Sequence, residues 1–151
     1  MKPRHQEPGS ALLLKTLADF RYELRCFLHF SECVALDAGL QPQQHQLLLQ
    51  VAGAADASAA TIAYAAERLR LKHNSTVELV DRSEREGLLT RSTDPNDKRR
   101  AILELTAKGR RLLDRLASDH AKELRERAPR LIAALDDVRL HAVVVASAEA
   151  R

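Results

Sequence analysis

The side chains best placed to do chemistry lie between His73 and Arg111. Arg91, Lys98, Arg99 and Arg100 gather about the turn Asp94-Pro95-Asn96-Asp97. Residues 91–111 hold seven Lys or Arg against Asp94, Asp97 and Glu104. Cations crowded on a tight turn suit phosphate, and an arginine there fits a narrow minor groove, where the potential is most negative. Asp97, two residues before Arg99, is spaced to hold that guanidinium by a bidentate pair. Upstream, His73-Asn74-Ser75-Thr76 opens a helical pattern, and Glu78, Leu79 and Arg82 are expected on its exposed face. Asn matches adenine, Ser and Thr match base or phosphate, and Glu accepts from cytosine N4. Arg82 is better suited to phosphate. Taken alone, the same polar residues read equally well as an N-cap cluster, and the basic turn as a solvated loop. Together they point to double-stranded DNA.

The elements that position these groups follow from periodicity. Leu13, Leu17, Phe20, Leu24, Phe27, Ser31, Val34 and Ala38 recur in alternating steps of four and three, predicting one long amphipathic helix over 11–38. Gly39 is expected to end it in the left-handed conformation. Pro42 opens a second helix that runs through Leu47, Leu48 and Val51 to Gly53. Ser58 or Thr61 caps a short helix containing Ile62, Ala65 and Leu69. The next helix begins near Asn74 or Ser75 and closes at Gly87. Its expected buried face is Val77, Val80, the stem of Glu84, and Leu88. Residues 88–105 form a hairpin, in which Ala101, Leu103 and Leu105 alternate with Arg100, Ile102 and Glu104 at the period of a half-buried strand. Thr106 caps a helix from Ala107 to about Ala128. Pro129 is expected to break it, with Leu131, Ile132, Leu135 and Val138 on a last helix towards Ala148.

This order describes a mainly α chain with a small β-hairpin wing, a winged helix-turn-helix with N- and C-terminal dimerisation helices. Residues 1–10 read as a flexible arm. Residues 11–38 and 107–151 read as dimerisation helices, and 39–106 as the DNA-binding region of one intertwined domain. The N-terminal seam and the apolar tail Leu140, Val143, Val144 and Val145 lie at opposite ends of the chain. A monomer of 151 residues would struggle to bury both. A homodimer also matches half-sites one DNA turn apart.

Residues 75–89, STVELVDRSEREGLL, and 94–109, DPNDKRRAILELTAKG, resemble the MarR-type (multiple-antibiotic-resistance regulator) family of winged-helix transcription factors. The second segment resembles that family's wing signature. Gly39-Leu40-Gln41-Pro42-Gln43-Gln44 resembles the start of its second helix. Helix count and order agree over about residues 11–148. The resemblance implies an obligate homodimer built from the first and last helices and a pseudo-palindromic operator. It also implies release by a small, often phenolic, ligand. It carries DNA contact onto Ser75, Thr76 and Arg99, with Asp97 as the arginine's support. Ser83 departs from the pattern, since the family usually has a large apolar residue there.

Tyr22, Cys26, His29 and Cys33 share one stripe of the first helix. Three readings stay open. Both cysteines are small buried hydrophobes. Alternatively, His29 favours a thiolate and the pair senses oxidants, as some members of the resembled family do. Or Cys26, His29 and Cys33 are partial zinc ligands lacking an obvious fourth. An intrahelical Cys26–Cys33 disulfide is excluded, because seven residues of helix separate the Cα atoms by about 10 Å, beyond the ~7 Å limit. Tyr22, Cys26, His29 and His45 are the expected lining of a pocket for a small aromatic effector.

A net charge of +3 is compatible with a polyanionic partner. The sequence has no Gly-rich phosphate loop, GxSxG, HExxH or paired CxxC, so no enzyme and no cofactor or metal site is expected. Two cysteines and no apolar leader or bilayer-length segment read as cytoplasmic, without a membrane partner. The rival reading is a helical protein-interaction module, against which the basic hairpin argues. The reading adopted is a dimeric regulator, more in keeping with a repressor than an activator.

Overall fold

The computed structural model describes the backbone of residues 8–149 and the side chains of residues 10–142. Among these, the elements run α1 (Pro8–Asp37), α2 (Pro42–Ala52), α3 (Ile62–Leu69), α4 (His73–Arg85), β1 (Leu89–Thr93), β2 (Ala101–Leu105) and α5 (Ala107–Glu149). A 3-10 turn at Ala57–Ala59 precedes α3. Of the arm expected over 1–10, residues 8–10 already belong to α1, and residues 1–7 lie outside the described residues.

Most junctions have a local cause. Gly39 ends α1 at φ +80°, and the Leu40 N–H donates to the Ala35 carbonyl at 2.9 Å. Pro42 opens α2, and the Gln41 N–H donates to Gln44 Oε1 at 3.0 Å. Thr61, not Ser58, caps α3, its Oγ1 accepting from the Tyr64 N–H at 3.1 Å. Ser58 sits in the 3-10 turn and donates to Asp56 at 2.6 Å. The Asp56 carboxyl is thereby held below the ordinary aspartate value, first by the Ser58 hydroxyl and then by the Ala59 N–H.

At the C-terminus of α3 the left-handed residue is Arg70, at φ 55° and ψ 38°. No other non-glycine among the described residues has positive φ. Its N–H donates to the Glu67 carbonyl at 3.1 Å and the Leu71 N–H to Ala66 at 3.0 Å. These bonds fix the turn, and a side chain there costs roughly 1–2 kcal/mol. Thr106 caps α5: its Oγ1 accepts from the Gly109 N–H at 3.0 Å and donates to the Gly87 carbonyl at 2.6 Å. A Cβ on Gly109 would stand 2.0 Å from the Leu88 carbonyl oxygen. Only glycine lets the first turn of α5 close on the α4–β1 connection.

The chain divides into two compact units, with boundaries inside α1 and α5. The unit of residues 32–119 holds the apolar core, including Leu40, Leu47, Leu48, Leu79, Val80, Leu88 and Leu103. Here β1 and β2 pair antiparallel, Leu89 opposite Leu105 and Thr93 opposite Ala101. The strict alternation expected of β2 does not hold, because Ile102 is buried as well as Leu103. The reason is a third extended segment. Ala60 accepts from the Leu103 N–H at 2.8 Å, and Thr61 bridges Ile102.

The other unit packs α1, up to Ser31, with α5 from His120 onward. The His120 ring meets Phe27 and Phe30 edge-on, at centroid distances of 5.9 and 5.6 Å, and its Nε2 lies 2.8 Å from Ser31 Oγ. Arg127 donates to Glu23 at 3.0 Å and to Glu123 at 2.8 Å. The expected break at Pro129 is overturned, for α5 runs through it without interruption. Proline removes one N–H and crowds the preceding turn, which bends a helix but need not end it when tertiary contacts hold both sides. Arg127, two residues earlier, anchors that turn to α1. Leu12, Leu14, Leu28, Ile132, Leu135 and Leu140 of this unit are exposed. The side chains of Val143, Val144 and Val145 lie outside the described residues. No helix of the described residues is long and apolar enough to cross a membrane.

Candidate nucleic-acid interface

Helix α4 packs on α2, α3 and β1. Its N-cap is Lys72, with extended backbone and no side-chain cap. The start expected near Asn74 or Ser75 therefore moves one or two residues upstream, to His73. Both belong to the first turn, and with His73, Glu78 and Arg82 they are exposed. Asn74, Glu78 and Arg82 recur every four residues and so share a face. Among the described residues, no hydrogen bond or ion pair within the chain engages these five side chains. The N-terminal turn of α4 thus presents polar groups and the positive end of the helix dipole to solvent.

Two of the residues expected to contact DNA are withdrawn from that face. Thr76 is 0 % exposed and Leu79 1 %. The buried side of α4 is Thr76, Leu79, Val80 and Ser83, whereas Val77 and Glu84 are only half-buried and Leu88 lies beyond the helix end. The expected apolar face was displaced because two of the true core positions carry hydroxyls. Thr76 Oγ1 donates to the Lys72 carbonyl at 3.1 Å and Ser83 Oγ to Leu79 at 2.8 Å. Each hydroxyl is satisfied within its own helix, so burial carries little penalty. The same bond accounts for Ser83, the one position that departed from the resembled pattern.

The wing sorts its cations into two groups. Arg91 turns inward, with Nη2 at 2.6 Å from Asp81 and 3.0 Å from Glu84. Its backbone N–H also donates to Glu84 at 3.3 Å. Arg100 reaches Asp94 at 3.3 Å and the Ser58 carbonyl at 3.2 Å. Asp94 itself is buried and accepts from the Asn96 N–H at 2.8 Å, which tightens the turn. Arg91 and Arg100 are therefore braces: one ties β1 to α4, the other ties the wing loop to the 3-10 turn. Lys98 and Arg99 remain on the outside.

Arg99 meets Asp97 by the bidentate geometry that the spacing predicts. Nε lies 3.1 Å from Oδ1 and Nη2 3.2 Å from Oδ2, while the Arg99 N–H donates to Oδ1 at 3.1 Å. The Arg99 side chain is 91 % exposed. The guanidinium, and after it the backbone N–H, holds the Asp97 carboxyl below the ordinary aspartate value. A wholly exposed arginine is thus fixed in direction by its neighbour.

The residues proposed for sensing do not share one environment. Tyr22 and His29 are exposed, Cys26 is half-buried and His45 is buried in α2. Cys33 is exposed, which corrects the reading of both cysteines as buried hydrophobes. A hydrogen bond to Cys26, one turn along, pushes the Tyr22 hydroxyl above its ordinary value. Among the described residues no three His, Cys, Asp or Glu side chains converge on a metal site. Sequence reasoning missed Arg70 and the Gln44–Glu86 bond. The latter links α2 to the residue closing α4 at 2.9 Å, with Gln44 fully buried. Only the Gln at the third position of α2 hinted at it.

Residues 38–100 match the family model described as MarR family. Among solved structures, AbsC, a MarR family transcriptional regulator from Streptomyces coelicolor, aligns at 18% identity and a TM-score of 0.70, covering 97% of this chain and 96% of that one. CouR from Rhodococcus jostii RHA1, bound to p-coumaroyl-CoA, aligns at 26% identity and 0.52, covering 72% and 67%. A mutant of MepR from S. aureus bound to an oligodeoxyribonucleotide aligns at 18% identity and 0.59, covering 87% and 95%. No curated protein matches the chain in sequence. The matched segment, from α2 to the wing, carries the MarR family pattern, and the chain shares its fold, both long helices included, with MarR family transcriptional regulators.

Proposed function

We propose that the chain binds a pseudo-palindromic operator as a homodimer and represses transcription until a small effector or cysteine oxidation releases it. The observation that carries the reading is the uncommitted first turn of α4 together with an exposed, pre-aimed Arg99 on the wing. His73, Asn74, Ser75 and Glu78 read base edges in the major groove, and Arg82 and Lys98 contact phosphate. Arg99 enters the adjacent minor groove, while Arg91 holds β1 against α4 and Arg100 holds the wing loop against the 3-10 turn. The DNA-bound MepR mutant supports the same use of this fold.

Dimerisation draws support from the exposed leucines and isoleucine of the α1–α5 unit, a surface better suited to a partner helix than to water. Release by a ligand draws support from CouR, solved with an aromatic acyl thioester. Tyr22, Cys26 and His29 are the residues of that unit best suited to meet an aromatic effector or an oxidant. Members of the matched family are regulators rather than enzymes.

The test is the salt dependence of duplex binding by fluorescence anisotropy. Arg99→Ala should weaken binding about fivefold on any sequence near 0.15 M salt. It should also make the slope of log affinity against log salt shallower by about 0.9, the counterion share of one phosphate. Unchanged affinity and slope would remove the wing from the interface.

A further inference from the structure

We infer that Arg70, in the turn between α3 and α4, is a DNA-backbone contact of this protein, seated on the phosphates that flank the groove entered by α4. The inference rests on the winged-helix reading above and adds a residue that neither the sequence patterns nor the comparisons single out.

Its conformation is the first ground. Arg70 holds a left-handed backbone fixed by the hydrogen bonds of Arg70 and Leu71 to Glu67 and Ala66. Leu71 packs against the core directly afterwards, which pins the turn from the other side. None of these bonds uses the Arg70 side chain, and glycine would satisfy all of them without strain. The fold thus carries a long cation where its backbone prefers none.

The second ground is what surrounds it. Arg68, two residues earlier, is committed to Gln50 at 2.8 Å. Arg70 is exposed, and among the described residues it has no ion-pair or hydrogen-bond partner. It shares a shallow depression with Ala66, Glu67, Leu71 and Lys72. Lys72 is the N-cap of α4, so two cations flank the end of the helix whose dipole already favours anions. Glu67 is the one carboxylate among the residues lining the depression, against the two cations Arg70 and Lys72. If α4 enters the major groove by its first turn, the chain three residues earlier passes beside the phosphate backbone.

The geometry supplies an unusual test, because the variant that deletes the contact also relieves the backbone. Arg70→Gly, Arg70→Lys and the unaltered chain are compared on a labelled mixed-sequence duplex over a salt series, with thermal unfolding alongside. Arg70→Gly should melt no lower than the unaltered chain, bind about fivefold more weakly near 0.15 M salt, and show a slope shallower by about 0.9. Arg70→Lys should keep the slope. Arg70→Gly with undiminished affinity and slope overturns the inference, as does a lowered melting temperature, which would make the side chain structural. A loss confined to one sequence with the slope intact would mean base contact and overturn the phosphate assignment. An unaltered chain that binds no duplex fails the winged-helix reading itself, and Arg70 with it.

Discussion

Asp97 and Arg99 show what a single pair contributes to a surface loop. An isolated exposed ion pair adds little stability. Here its consequence is directional, because two parallel hydrogen bonds and a backbone N–H leave the guanidinium few orientations. The pair was legible because its two members lie within one turn, where spacing alone fixes distance. Its pH dependence follows from the depressed Asp97 carboxyl. A lowered folded-state value means that the pairing is fully present above the ordinary aspartate range and is lost as pH falls through the lowered one. Side-chain carboxyl NMR should show Asp97 titrating below an ordinary aspartate and moving back up in Arg99→Ala. A midpoint indifferent to Arg99 would dissolve the pair. Gly109 was not legible, since its reason is a carbonyl that arrives from Leu88, twenty-one positions earlier in the sequence. Gly109→Ala should cost about 3 kcal/mol in denaturant unfolding, because a backbone atom cannot yield as a side chain does. A loss under about 1 kcal/mol would show that α5 can draw back.

At the scale of elements, α4 is positioned from three sides. Thr76, Leu79, Val80 and Ser83 seat it in the core, Gln44 holds Glu86 at its end, and Arg91 clamps Asp81 and Glu84 to β1. The existence, order and type of α4, β1 and β2 were legible from their periods and from Gly87. The rotation of α4 was not, because Thr76 and Ser83 count as polar in any hydropathy pattern while their hydroxyls are satisfied inside the helix. Arg91 likewise reads as one more cation near the wing until its two carboxylate partners are in view. Arg91→Met keeps the aliphatic stem and removes the clamp. It should lower DNA affinity while leaving the salt slope unchanged, because Arg91 orients α4 rather than touching phosphate. A slope shallower by about 0.9 would return Arg91 to the DNA-contacting set. Pro129 taught the opposite lesson. Proline is a strong local signal, but Arg127 beside it is anchored across to Glu23, and packing outweighs the lost N–H.

At the scale of the whole molecule, two kinds of surface account for the chain. The unit of residues 32–119 buries a continuous core and turns a basic, polar face outward. The α1–α5 unit leaves Leu12, Leu14, Leu28, Ile132, Leu135 and Leu140 exposed, as half of a symmetric interface would. The unit boundaries lie inside α1 and α5, and an uninterrupted helical period carries no mark of which partner it packs against. Two copies related by a two-fold axis would bring two α4 helices to two half-sites. The most direct measurement is therefore selection of genomic fragments by the purified full-length protein at near-physiological salt, followed by sequencing. The expected result is one enriched inverted repeat with half-site centres about one DNA turn apart, retained as salt rises. Fragments with no shared motif, lost together as salt rises, would contradict it and leave only a basic surface.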